Sequence, residues 1–259
     1  MAKDHDPIVI VSAVRTPLGR FLGDLASVQG TALGAHVIRA ALERAGLLPD
    51  RPLEVIMGCV LPAGQGQAPA RQAARGAGLS NAIGATTINK VCGSGMKAAM
   101  LGHDLILAGT ADMIVAGGME SMSNAPYLLS KARAGYRAGH DRIFDHMMLD
   151  GLEDAYEPGR AMGDFGEAAV EAYQFTRADQ DAFSIESLIR ARTAIENGSF
   201  VDEIAPLTLQ IKGEEKIVDT DEHPLKVSPD KIPTLRPAFR VDGTITAASA
   251  SANADGAAA

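Results

Sequence analysis

The chain alternates between short β-branched runs and longer stretches of helical period. Residues 8–14 (IVIVSAV) form an apolar run with the length and composition of a buried strand. Over 31–45 the period changes. Leu33, Val37 and Ala41 make one row with Ile38, Leu42 and Ala45 beside it, which predicts an amphipathic helix. Gly46 stands where such a helix takes a left-handed residue at its end, and Pro49 blocks continuation. Residues 53–57 (LEVIM) predict a second strand, followed by the loop GCVLPAGQGQAP and a short helix at ARQAARGAG. A third strand is expected at 85–89 (ATTIN), an Ala/Leu/Met helix at 94–108 and a fourth strand at 112–116 (DMIVA). Strands alternating with helices predict a layered α/β fold around a mostly parallel, doubly covered sheet.

Near residue 120 the texture changes. From there to about 240 the chain carries most of its Tyr, Phe and charge, with a helix at 177–197 and proline-punctuated loops, and a second subdomain is expected. The Ala-rich end, ASASANADGAAA, has the pattern of a lead-in to an apolar strand, so a fragment is expected. An unfinished strand would leave a raw sheet edge.

Composition narrows the functional classes. The 259 residues are 46% hydrophobic, enough for a sizeable core, and 24 basic against 32 acidic side chains leave a net charge of −8. Nothing globally basic points to nucleic acid. No stretch approaches the ~18–20 apolar residues of a membrane helix, and the start lacks a secretory pattern. The two cysteines, Cys59 and Cys92, make no disulfide framework, and a cytoplasmic location is expected. His140 and His146 with Asp141 and Asp145 are read as a solvated charged loop, so no metal site is expected. No phosphate-binding G-x-x-x-x-G-K-[ST] loop occurs.

The segment 85–100, ATTINKVCGSGMKAAM, carries the chemistry. It places Cys92 after a strand, then Gly-Ser-Gly, then a helix, where dipole and free N–H groups favour a thiolate. A thiolate can take an acyl group from a thioester. Two alternatives share these residues. Free cysteine is often simply buried, and Gly93 to Ala98 match a G-x-G-x-x-A dinucleotide loop, with Glu120 as the nearby acid. Cys59 is read as structural.

The stretch 89–98 (NKVCGSGMKA) closely resembles the acyl-enzyme cysteine motif of thiolases. So do 11–19 (VSAVRTPLG), 60–74 (VLPAGQGQAPARQAA), 116–123 (AGGMESMS), 235–239 (LRPAF) and 246–259 (TAASASANADGAAA), in order along the chain. The resemblance implies acyl exchange between coenzyme A thioesters through an acyl-cysteine, Cys92. It also implies a βαβαβαββ half with an inserted loop domain. Residues 1–120 would be most of the first half, 121–245 the loop domain and 246–259 the return to the first half's sheet, the C-terminal half being absent.

Further implications of the resemblance are coenzyme A as substrate with no other cofactor, and a homodimer or homotetramer, with 116–123 in the dimer core. No nucleic acid or membrane partner is expected. Lys226 and Lys231 would meet phosphate, and Ala238 and Phe239 with Leu152 would line the adenine and pantetheine path. Ala247 and Ser251 belong to the segment that touches pantetheine, and Met162 lies beside the acyl pocket. Ala161 stands where short-chain relatives often have His, and Ser249 where Asn is usual. The family's G-H-P histidine, second cysteine in C-x-G and N-E-A-F element do not occur in these residues. The chain alone is therefore expected to turn over hardly at all.

Overall fold

The computed structural model describes residues 7–211 and 213–259. The chain runs β1 (Gly19–Arg20), α1 (Gly30–Arg44), β2 (Glu54–Gly58), α2 (Pro69–Gly76), β3 (Gly84–Ile88), α3 (Ser94–Leu107), β4 (Ile114–Ser121), β5 (Tyr127–Leu128) and β6 (Phe144–Asp145). It continues through α4 (Met162–Tyr173), α5 (Arg177–Glu196), β7 (Leu207–Ile211), β8 (Glu214–Val218), α6 (Glu222–Lys226) and β9 (Ala254–Ala258). A π-helical turn covers Met148–Leu152, and 3-10 turns cover Met122–Asn124 and Pro229–Thr234.

Five strands pair in the order β1-β9-β4-β2-β3. β2 is parallel to both β3 and β4, whereas β9 is antiparallel to β4 and β1. Side chains alternate across β4. Met119 meets α1 at Gly34, while Ile114 and Ala116 meet α3 at Gly102. The sheet thus lies between α1 and α2 on one face and α3 on the other, the doubly covered arrangement that the sequence predicts. Leu33, Val37, Ile38 and Leu42 of α1 pack with Val55, Met57, Val115 and Met119 to form the core.

The sequence signals for α1 hold to within a residue. Its end is closed by Gly46 N–H to Glu43 O (3.1 Å) and Leu47 N–H to Leu42 O (2.9 Å), with Gly46 at φ +65°. That left-handed turn is the reason a glycine follows the helix.

One expectation is corrected. Residues 8–13 form no strand, although their composition predicts one. The ladder begins at Val14, which exchanges backbone hydrogen bonds with Ala259 (2.9 and 3.0 Å), and residues 8–13 make no ladder pairing among the described residues. Residues 116–121 lie in β4, a central strand, with Met119 and Ser121 buried.

The span 121–245 packs against the sheet's core. Ile204 bridges Arg15, and Leu207 and Val218 of the β7–β8 hairpin join the α1 cluster. An ion pair reinforces that join: Arg15 donates to both carboxylate oxygens of Asp221 (2.7 and 2.9 Å), and Leu18 N–H donates to Asp221 Oδ1 (2.8 Å).

Candidate active site

Cys92 sits on a sharp strand–turn–helix corner. β3 ends at Ile88, α3 begins at Ser94, and Val91 between them has φ +46°. A β-branched residue in the left-handed region is strained, and such strain persists only where its surroundings impose it. Here the surroundings are specific. Asn89 Oδ1 accepts from Val91 N–H (2.8 Å), and Ser94 Oγ accepts from Lys90 N–H (2.8 Å) while donating to Val91 O (2.6 Å). Gly93 N–H and Ser94 N–H close the turn onto Lys90 O and Val91 O (both 3.1 Å). The result holds Cys92 exposed at the start of α3.

Glycine lets this corner press onto the sheet. A Cβ on Gly58 would lie 2.5 Å from Ser94 Cβ and 2.9 Å from Gly95 N. Beside the corner is a cavity of about 320 Å³ lined by Cys92, Val91, Ser94, Val60, Leu61, Glu120, Met122 and Leu152, among others.

Glu120 is the carboxylate of that lining. Its oxygens accept from Val60 N–H (2.8 Å) and Leu61 N–H (3.0 Å), so it fixes the wall that follows β2. Burial is the main influence on its carboxyl and pushes the pKa above the usual carboxylate range, against those two donors. Its Oε1 lies 3.8 Å from Cys59 Sγ. Burial first, and then the Glu120 charge, push the Cys59 thiol up to about 12. Cys59 is therefore a thiol packed in the core, as the sequence led us to expect, and Cys92 is the exposed one. Both Glu120 oxygens accept from the chain's own amides, so the acid that the G-x-G-x-x-A reading of 93–98 calls on is already engaged.

The remaining expected residues separate into groups. Leu152 shares the Cys92 cavity. Beyond it, Glu153 bridges Ala161, which precedes Met162 at the start of α4. Gly163 lies against the Phe239 ring, and Ala238 N–H donates to Ile245 O (2.8 Å), close to Ala247. Leu152, Met162, Ala238, Phe239 and Ala247 thus follow one another along a continuous edge. Ser251 is exposed on the approach to β9. Lys226 ends α6 and Lys231 lies in the following 3-10 turn; both are exposed, with no ion pair among the described residues.

The His140–His146 stretch is not uniformly solvated. Asp141 pairs with Lys131 (2.6 Å), whereas His146 is 4% exposed, bonds Asp150 through Nδ1 (2.6 Å) and accepts Ala63 N–H at Nε2. Among the described residues no group of three or more His, Cys, Asp or Glu is placed to hold a metal ion.

A family model described as the thiolase N-terminal domain matches residues 8–259. The chain belongs to the thiolase family. An acetyl-CoA acetyltransferase of Pseudomonas aeruginosa is 50% identical over 254 residues, 97% of this chain and 64% of that protein. One from Schizosaccharomyces pombe is 47% identical with the same coverage, and a bovine mitochondrial acetyl-CoA acetyltransferase is 45% identical over 60% of its length. The Acat5 thiolase of Ascaris suum, solved in complex with coenzyme A, superposes with a TM-score of 0.90 at 40% identity. That match covers 96% of this chain and 63% of the other. This thiolase chain thus spans less than two thirds of the length of the relatives it matches.

Two functional features of this thiolase corner escaped the sequence reading. The N-K-V-C order carried one signal, since Asn two residues before Val91 is the donor–acceptor spacing of an Asx turn. Glu120 carried none. Its partners Val60 and Leu61 are about 60 positions away, as the bonds themselves record.

Proposed function

We propose that this chain provides the acyl-accepting cysteine and the coenzyme A edge of an acetyl-CoA acetyltransferase-type thiolase. The observation that carries the proposal is the exposed Cys92 on its imposed turn, over a cavity walled by Leu61, Glu120 and Leu152. In this reading Cys92 Sγ attacks the thioester carbonyl, the new S–C bond replaces the carbonyl–sulfur bond of coenzyme A, and the thiol proton leaves on the departing coenzyme A. The thioester supplies the activated acyl group, so the step draws on no metal or redox cofactor. α3 directs its N-terminal N–H groups toward the developing anion.

The edge from Leu152 through Met162, Phe239 and Ala247 would take pantetheine, with Ser251 beside it. Lys226 and Lys231 would meet phosphate as point charges. Residues 121–245 would serve as the insert that carries this edge. Groups that activate Cys92 and move the substrate α-proton would come from outside these residues. The assembled enzyme would be cytoplasmic and a dimer or tetramer.

Denaturing intact-mass spectrometry before and after acetyl-CoA tests the central step. The expected result is one acetyl increment, lost in Cys92→Ser. A 27.0 kDa species with no cysteine-dependent adduct rejects acyl transfer by this chain alone and leaves acyl-CoA binding without turnover.

A further inference from the structure

After Leu235 the chain doubles back on itself as a strap. Pro237 bridges Thr246, Ala238 N–H donates to Ile245 O (2.8 Å), and Gly243 N–H closes the turn onto Arg240 O (3.1 Å). Phe239 stands on the outgoing leg and Ala247 at the end of the return leg, so the strap carries two residues of the edge that begins at Leu152. The outgoing leg is held at its start by α5. There Arg177 donates to Leu235 O (2.9 Å) and is itself paired with Asp181 (2.8 Å). Further along, the Phe239 ring rests on Gly163 of α4.

The return leg has a different anchor. Glu167 of α4 is 3% exposed, and its Oε1 accepts from Thr244 N–H (2.9 Å) and Ile245 N–H (2.8 Å). Its Oε2 accepts from the Thr244 hydroxyl (3.3 Å), which in turn accepts from Gln180 Nε2 of α5 (2.9 Å). The next amide, Thr246 N–H, donates to Ser249 Oγ (2.9 Å). Two glycines let the leg close on α4. A Cβ on Gly166 would lie 2.7 Å from Ile245 Cδ1, and one on Gly243 would lie 2.9 Å from Glu167 Cδ. A buried carboxylate is costly unless its oxygens are satisfied. Amides and a hydroxyl satisfy this one, so its position passes directly to the main chain, through bonds stronger than those between neutral groups.

We propose that Glu167 is a positioning residue for coenzyme A: it fixes the return leg of the strap, and with it Ala247, relative to Phe239 and Met162. The inference rests on the reading of Leu152 to Ala247 as the coenzyme A edge. Glu167 does not line the Cys92 cavity, and it acts on the ligand only through the strap. The arrangement ties three parts of the edge to one helix. Met162 opens α4, Gly163 seats the Phe239 ring, and Glu167 takes the backbone that leads to Ala247. Without the carboxylate, the amides of Thr244 and Ile245 lose their acceptor and the return leg is released from α4.

The probe is coenzyme A itself, titrated calorimetrically into the full chain well below its melting transition. Circular dichroism confirms that each variant is folded there, so a loss of stability alone does not move the affinity. Glu167→Ala should bind about tenfold more weakly, and Glu167→Gln, which keeps one oxygen for both amides, should recover to within about threefold. Glu171→Ala removes a carboxylate of the same helix that is 70% exposed and bonds Arg240, and it should leave the affinity unchanged. An equal loss in Glu171→Ala overturns the proposal, because helix charge and not the two amides is then the cause. A folded Glu167→Ala protein with parental affinity also overturns it, while the coenzyme A reading stands. Should Glu167→Ala not fold, Gly243→Ala decides. Its Cβ pushes the carboxylate off Thr244 and should weaken binding about threefold or more, and parental affinity there overturns the proposal. A parent chain that takes up no coenzyme A overturns the coenzyme A reading, and the proposal with it.

Discussion

Gly58→Ala tests whether the packing of α3 on β2 sets the position of Cys92. The added Cβ would lie 2.5 Å from Ser94 Cβ, 2.8 Å from Ser94 C and 2.9 Å from Gly95 N, against about 3.5–4.0 Å for relaxed carbon contacts. Most of the partners are backbone, so rotamer changes cannot relieve the overlap, and the first turn of α3 must retreat by about 1 Å. Overpacking of this kind costs about 1–3 kcal/mol. At ~2–4 °C per kcal/mol for a chain of roughly this size, Tm falls by about 2–12 °C. The displacement reaches Cys92 because Ser94 Oγ holds Lys90 N–H and Val91 O. A misplacement of about 1 Å can cost on the order of 100-fold in rate. Gly102→Ala on the same helix is the control. There the Cβ meets Ile114 Cγ2 at 3.4 Å and Ala116 Cβ at 3.7 Å, ordinary contacts, and alanine gains up to about 1 kcal/mol in helix propensity. The assays are thermal unfolding by circular dichroism and the rate of mass-detected Cys92 acylation by acetyl-CoA. If Gly58→Ala melts with the parent and acylates at its rate, the reasoning from close packing fails. Unfolding alone decides the packing claim even where acylation is too slow to follow.

Iodoacetamide at pH 9 should modify Cys92 and leave Cys59 untouched in the folded protein, since the Cys59 thiol is held up at about 12; a second adduct below unfolding concentrations of urea would count against this. The folded state keeps the Cys59 proton that the unfolded chain releases above about pH 9. This contribution to stability is therefore complete below pH 9 and is lost as pH rises from 9 toward 12, a loss measurable by urea titration against Cys59→Ala. Asp221→Ala leaves Leu18 N–H unpaired and Arg15 with Glu203 as its remaining carboxylate, and should cost about 1–3 kcal/mol in urea unfolding. An unchanged urea midpoint would show that the Arg15–Asp221 pair does not secure the β7–β8 side to the sheet.

Much of the first half was legible because its elements are local. The α1 rows, its Gly46 end and the α3 start follow from spacing within a few residues, and the structure places each within a residue or two. Cys92 was legible for the same reason, since its neighbours in sequence are its neighbours in space. The left-handed Val91 was not, because a β-branched residue contradicts its own preference there. Only the combined bonds of Asn89, Ser94 and Lys90 hold it.

Residues 8–13 mark the boundary between the two kinds of information. Composition alone determined that they are apolar and β-branched, and that the chain alternates strands with helices around Cys92. A strand, however, is completed by hydrogen bonds to a neighbour that the segment does not contain. Tertiary structure decided which of these residues pair, with Val14 bonded to Ala259 while Val9, Ile10 and Val11 are exposed. It also decided that Glu120 closes on Val60 and Leu61, and that burial, with Glu120 beside it, keeps Cys59 a thiol while Cys92 is exposed. Helical periodicity is a property of one segment. Strand pairing and buried charge depend on what the fold brings alongside, and no spacing in the sequence records it.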